Sequence, residues 1–363
     1  MQQSVSSFRL RFFRFRYSNV SSKPTTLGFT LVELLTSITV LSLIMFLVFS
    51  MISESSRILR TTRGKTDSFG EARSAFTQIT NTLKQATLNP YLDYYDAAGN
   101  RRDPSNSGSF TPNSYGRYSE LHFVCDNAAS LIGTNAASGS AAFFQAPLGK
   151  TNDRTRYGQL NSLLNAVGYY VTYSSEDNSQ FPTFLPASSL DEHRFRLMEY
   201  VQEPETLPLF DPSQYSSASA GWPDTNFSWF DATNTVNLSS RSSQIGADIA
   251  LILFVARYRD SAGNEQLSYS YNSRSGTLNT ITRHQLPAYI DLYLVALDKT
   301  SGTRLFNEFG TATPPIINPS LFSNPSILEN DLDTLEQNLT ARRLSYHIFT
   351  GSVRMEGASW SIQ

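Results

Sequence analysis

The sequence predicts an α+β chain in which a long N-terminal helix, its first half transmembrane, packs on a β-rich globular domain. Three observations carry this expectation: a basic start, one unbroken apolar run, and period-two alternation through the C-terminal two thirds. Residues 1–28 hold Arg9, Arg11, Arg14, Arg16 and Lys23 and no acid. The chain's net charge is −2, so residues 29–363 carry −7 once those five cations are set aside. An acidic remainder is a poor general binder of nucleic acid, which needs clustered Lys and Arg at phosphates, and none is expected as a partner.

The helix is read first. From Phe29 to Ile52, 24 residues contain a single charge, Glu33. At about 1.5 Å per residue such a helix is about 36 Å long, enough for a hydrocarbon core of about 30 Å. Cations before the run place the N-terminus in the cytoplasm and the bulk of the chain outside. An ordinary secretory signal has a shorter apolar core and a small-x-small site after it. Here only Ser53-Glu54-Ser55 offers one. An uncleaved signal anchor fits the hydropathy equally well.

Glu33 separates these readings. A carboxylate in a membrane helix costs up to about 2.5–3.5 kcal/mol at the bilayer centre, less near the interface, and calls for a partner. A cut between Gly28 and Phe29 would create an α-amine four residues before it. Glycine before the cut permits an extended backbone, which Lys23-Pro24 also favours.

Gly28-Phe29-Thr30-Leu31-Val32-Glu33-Leu34-Leu35, joined to this apolar helix and basic leader, resembles the cleavage and methylation motif of type IV pilins and type II secretion pseudopilins. The resemblance implies a pilin-like fold and a single-pass protein of the bacterial inner membrane with a periplasmic domain. It further implies that prepilin peptidase cuts after Gly28, that Phe29 is N-methylated, and that Glu33 pairs with the N-terminus of an adjacent subunit. Other pilin-like subunits and membrane lipid are the implied partners, with no cofactor. The 28-residue leader departs from the pattern: it is long, with Phe8, Phe12, Phe13, Phe15 and Tyr17 among its arginines. A weaker resemblance to the large J-type minor pseudopilin covers Tyr169–Tyr173, Arg194–Gln202, Ile249–Gly263 and Leu286–Leu297. The tail from Leu344 through Ser359-Trp360-Ser361 is similar to Verru_Chthon cassette C-type proteins.

The expected organisation is leader 1–28, transmembrane helix 29–52, amphipathic continuation 53–88 and β-rich domain 89–363. Phe69, Ala72, Phe76, Ile79 and Leu83 form one stripe on a 3.6-residue period, suited to packing on a sheet. Gly64 and Gly70 are expected to interrupt this helix and Asn89-Pro90 to end it. Residues 89 to about 117 read as a surface loop. There Asp93, Asp96, Asn100 and Asp103 lack EF-hand spacing and read as a solvated turn rather than a calcium site.

Leu121–Cys125 reads as a buried strand, with Cys125, the only cysteine, as core rather than nucleophile. Arg194–Leu197 and Tyr289–Ala296 alternate, and Ile249–Val255 is apolar enough for a strand covered on both faces. Asp260–Asn264 is expected to turn into Leu267–Tyr271 as a hairpin. A helix around Leu332, Leu335 and Leu339 precedes an expected strand pair, Leu344–Phe349 and Val353–Glu356. Trp222 and Trp229 are candidates for loop anchoring or for sugar contact.

The four histidines, His122, His193, His284 and His347, show no metal-ligand spacing, and no nucleophile elbow, P-loop or dinucleotide fingerprint occurs. Asp191-Glu192-His193 reads as a turn. The sequence therefore points to a structural, non-enzymatic subunit, a minor one because 335 residues after the cut are bulky for a subunit repeated along a filament. A filament-tip adhesin binding glycan or DNA is the alternative, and an anchored enzyme the third reading.

Overall fold

The computed structural model describes residue 28 and residues 30–102, 106–133, 136–175, 192–207, 235–275, 280–318 and 320–358. Expectations for the leader before Gly28, Phe29, Asp103, Asp191, Trp222, Trp229 and Ser359-Trp360-Ser361 lie outside them. The chain divides into two compact units, Met1–Ile58 and Leu59–Gln363.

Helix α1 runs from Leu31 to Lys84. It passes through Gly64 and Gly70 without a break, contrary to expectation, because a lone glycine weakens a helix by only about 1 kcal/mol. A Cβ at either would meet nothing within 4 Å. The helix also stops at Lys84 rather than 88, and the chain then leaves it, Thr87 N donating to Gln145 O. Asn89 follows with φ 44°, just before Pro90.

In the second unit every strand pairing is antiparallel. Strands β1 (Tyr91–Tyr95) and β2 (Ser114–Tyr118) form a separate hairpin. This corrects the expected loop over 89–117: polar turn residues 96–113 hid two tyrosine-rich strands that hold one another. A six-stranded sheet has the order β10-β3-β4-β5-β6-β7, where β3 is Val124–Asn127, β4 Ser140–Ala146, β5 Asn165–Ser174, β6 Arg194–Gln202, β7 Ser242–Ala247 and β10 Tyr271–Asn272. A four-stranded sheet has the order β12-β11-β8-β9, with β8 Ile249–Arg259, β9 Glu265–Ser268, β11 Tyr289–Leu297 and β12 Tyr346–Arg354. Helices α2 (Ala128–Ile132), α3 (Arg154–Tyr157), α4 (Thr235–Ser240), α5 (Lys299–Phe309) and α6 (Leu328–Ala341) lie between strands.

Ile249–Ala256 is buried throughout, as a strand covered on both faces requires. Three expectations change. The 260–264 turn does return the chain antiparallel to β8, but β9 ends at Ser268 and Tyr271 crosses to pair with Cys125 in the other sheet. The strand holding Cys125 begins at Val124 rather than Leu121. Leu344–Glu356 is not a hairpin. It is one strand, β12, running straight through Gly351, whose bare Cα lets Phe76 approach: a Cβ there would stand 3.0 Å from the Phe76 ring.

The main core joins both sheets to α1. Ala72, Ile79 and Leu83 of the expected stripe are fully buried in it, with Phe69 and Phe76 packed at its margin. Phe69 rests 5.7 Å from His347, and Phe76 6.1 Å from Phe349. On the opposite face of the six-stranded sheet, Val124, Phe143, Tyr170 and Tyr200 form a second core closed by Ile132, Leu207 and Leu238.

Candidate functional site

The N-terminal junction is built by helix capping. Four amides at a helix start lack intrahelical partners. Thr30 meets one of them: its hydroxyl accepts from Glu33 N at 3.2 Å. Glu33 reaches back, its Oε2 accepting from Thr30 N and from the Thr30 hydroxyl, each at 3.1 Å. This is a reciprocal capping box, and an acid in the first turn also suits the positive end of the helix dipole. Among the described residues both bonds fall on Oε2, which leaves Oε1 open to an incoming cation.

The spacing Thr-x-x-Glu was visible in the sequence, and attention to Glu33 alone missed Thr30 as its partner. Gly28 is exposed, and among the described residues nothing packs against its Cα that would demand glycine there.

Beyond Glu33, α1 stays free of charge to Glu54, and its large apolar side chains from Leu31 to Ile52 are 44–79% exposed. In water such a surface would be a severe liability. The segment is long and apolar enough to cross a bilayer.

Polar groups in the second unit form structural nodes. Glu199 is 5% exposed and accepts from Gln78 Nε2 and Tyr169 OH at 2.9 Å and from Lys150 Nζ at 3.2 Å. It thereby ties α1 to β5 and β6. Arg194 donates to both Asp248 oxygens at 3.0 and 2.8 Å, to Glu192 at 2.8 Å and to the Thr303 hydroxyl at 2.8 Å. Burial raises the Asp248 carboxyl to about 6, against the pull of Arg194, which favours its ionised form.

The histidines do not form a metal centre. His347 packs between Phe69 and Phe349, and His193 stacks on Phe306. His122 and His284, remote in sequence, come within electrostatic reach of one another. Burial, reinforced by the positive charge of Arg274 on His122 and of Arg283 on His284, lowers each to about 3, so both are neutral. No group of three potential metal-ligating side chains occurs among the described residues. Asp93 pairs with Arg101 at 3.4 Å, while Asp96 accepts from Ala98 N and Asn100 N and closes its own turn. Burial pushes the Cys125 thiol up to about 12, which removes it as a thiolate nucleophile.

No family model matches the chain, and no curated protein matches it either. Among solved structures it is similar to a type IV-like pilin from Thermus thermophilus, at 12% identity and a TM-score of 0.25. That match covers 66% of this chain and 86% of the other.

Proposed function

We propose that this chain is a prepilin-type, peptidase-processed, minor pseudopilin-like subunit of an envelope filament or type II secretion-like machine. The observation that carries the reading is the junction: one carboxylate, capped by Thr30 at the start of α1, on an apolar segment otherwise uncharged to Glu54. Prepilin peptidase cuts after Gly28 and Phe29 becomes N-methylated. The new ammonium of a neighbouring subunit then reaches Glu33 Oε1, while Oε2 stays with Thr30. Burying that pair in lipid without mutual neutralisation would be costly, and this fixes the axial register of adjacent helices. The domain after the membrane segment is periplasmic, the leader cytoplasmic, and the partners are similar subunits and inner-membrane lipid.

The test is the N-terminal mass of the protein taken from membranes, with and without prepilin peptidase. A chain starting at methylated Phe29 only with the peptidase is the expected result. An intact N-terminus in both samples overturns the reading in favour of a plain signal anchor.

A second reading, display of a binding domain at a filament tip, is favoured by one surface. Tyr94 and Tyr115 are 44% and 60% exposed, their rings 4.4 Å apart and their hydroxyls bonded at 2.7 Å. Beside them, Leu92 is 64% exposed. Retention on a glycan array that disappears with Tyr94→Ala would support this reading over a purely structural role.

A further inference from the structure

The outermost strand of a sheet carries amides and carbonyls that no neighbour satisfies, and proteins blunt such edges by shortness, irregularity, charge or proline. Among the described residues, three of the four edge strands in the two larger sheets are blunted in this way. β9 has four residues, β10 has two, and β7 meets β6 with a register shift between Leu197 and Met198. β12 is not blunted. It runs nine residues in unbroken register against β11, without proline, and its one formal charge, Arg354, sits at its end.

The direction of its free groups follows from the pairing. Met355 N donates to Ala288 O at 3.1 Å, which sets the alternation along the strand. Val353, Gly351, Phe349 and His347 bond across to β11, while Ile348, Thr350 and Ser352 turn their N–H and C=O away from it. Among the described residues no strand or side chain reaches these six groups, and Thr350 and Ser352 are exposed. A paired donor and acceptor every second residue, about 6.8 Å apart, is the repeat of another extended backbone. Side chains beside the edge add selectivity. On the face against α1, Gly351 has no side chain, and Phe76 and Phe349 next to it are only partly buried, their rings 6.1 Å apart. A residue paired opposite Gly351 would be in the non-hydrogen-bonded register, where side chains lie closest, and an aromatic ring there would cover the bare glycine. On the other face Arg354 is exposed and has no ion pair among the described residues.

We propose that the free edge of β12 receives an extended peptide segment of a partner protein as a fifth, antiparallel strand of this sheet, with an aromatic residue opposite Gly351 and an acidic one opposite Arg354. The site depends on neither the cut after Gly28 nor the pairing of Glu33.

The experiment titrates the full chain in lipid nanodiscs against a fluorescein-labelled peptide, Glu-Ser-Val-Phe-Thr-Ala-Val-Thr-Thr, whose Phe falls opposite Gly351 when its Glu is opposite Arg354. A saturable rise in anisotropy is expected, with slower amide exchange over residues 346–354. N-methylating the two valines and the central threonine of the peptide removes the N–H groups that face β12, and should weaken binding at least about tenfold. Alanine for its phenylalanine, or lysine for its glutamate, should weaken binding by up to about fivefold. In the protein, Thr350→Pro deletes one outward N–H and spares the ladder to β11, because an edge strand accepts proline where its N–H faces away. That variant should keep the thermal melt of the parent and lose the peptide. No saturable binding above empty nanodiscs overturns the proposal, as does equal binding of the N-methylated peptide. Self-association that Thr350→Pro abolishes, without peptide binding, also overturns it, since the occupant would then be a second copy of this chain.

Discussion

At the scale of single residues, Glu33 and Thr30 divide the work at the helix start. Replacing Glu33 with Ala should leave peptidase cleavage intact, because the enzyme reads the Gly28 junction, and should impair co-assembly with partner helices. Normal incorporation of Glu33→Ala into filaments would refute the pairing. Thr30→Ala keeps the carboxylate and removes its hydroxyl partner. Caps of this kind contribute about 0.5–2 kcal/mol, so a partial assembly defect is expected, milder than that of Glu33→Ala, in a quantitative cross-linking assay. Gly28→Val should accumulate the longer, uncut form on a denaturing gel. Glu199 provides a control remote from the membrane: Glu199→Ala strands the Gln78 and Tyr169 donors. It should cost about 2–4 kcal/mol in a denaturant titration without altering cleavage.

At the scale of elements, what was legible followed periodicity. The helix stripe, β8 and β11 declared themselves because one or both of their faces are buried and their residues repeat at 3.6 or 2. The β1–β2 hairpin did not, since five of its ten residues are tyrosines and its connection is dense in turn formers. The two strands expected over Leu344–Phe349 and Val353–Glu356 leave Gly351 in the gap between them, where the structure continues β12. The role of this glycine is to make room for Phe76, a long-range contact that no local pattern announces. Gly64 and Gly70 misled in the opposite sense. Since a Cβ at either meets open space, Gly64→Ala and Gly70→Ala should each stabilise α1 by about 0.5–1 kcal/mol. A raised melting temperature in detergent would show this. At the candidate site, Glu33 was legible from its charge, and its Thr30 partner was legible only by spacing.

At the scale of the whole molecule, acid should unfold the chain in a definable window. His122 and His284 titrate near 6.5 when unfolded and at about 3 when folded. Their contribution is complete above pH 6.5 and is lost as pH falls towards 3, at about 1.4 kcal/mol per unit for each. Asp248 acts oppositely between its folded value of about 6 and the ordinary carboxylate range, because there the folded state holds the extra proton. These three groups therefore leave a net loss of about 1.4 kcal/mol per unit between pH 6 and 4. His284 has φ 53°, a conformation asparagine also tolerates, so His284→Asn removes one titration without backbone strain. Thermal melts of that variant should show about no dependence on these groups over pH 6–4.

Asp248, the single residue between β7 and β8, has a further consequence. The strands on either side of it belong to different sheets, so a slip of β7 along β6 by one residue would drag β8 along β11 by the same step. That step would turn the all-apolar Ile249–Val255 run by half a turn and pull Asp248 from Arg194. Each sheet thus proofreads the alignment of the other during folding. A chain caught in the wrong alignment would present a buried arginine stripped of its two bonds to Asp248, an error signal that disfavours its own persistence.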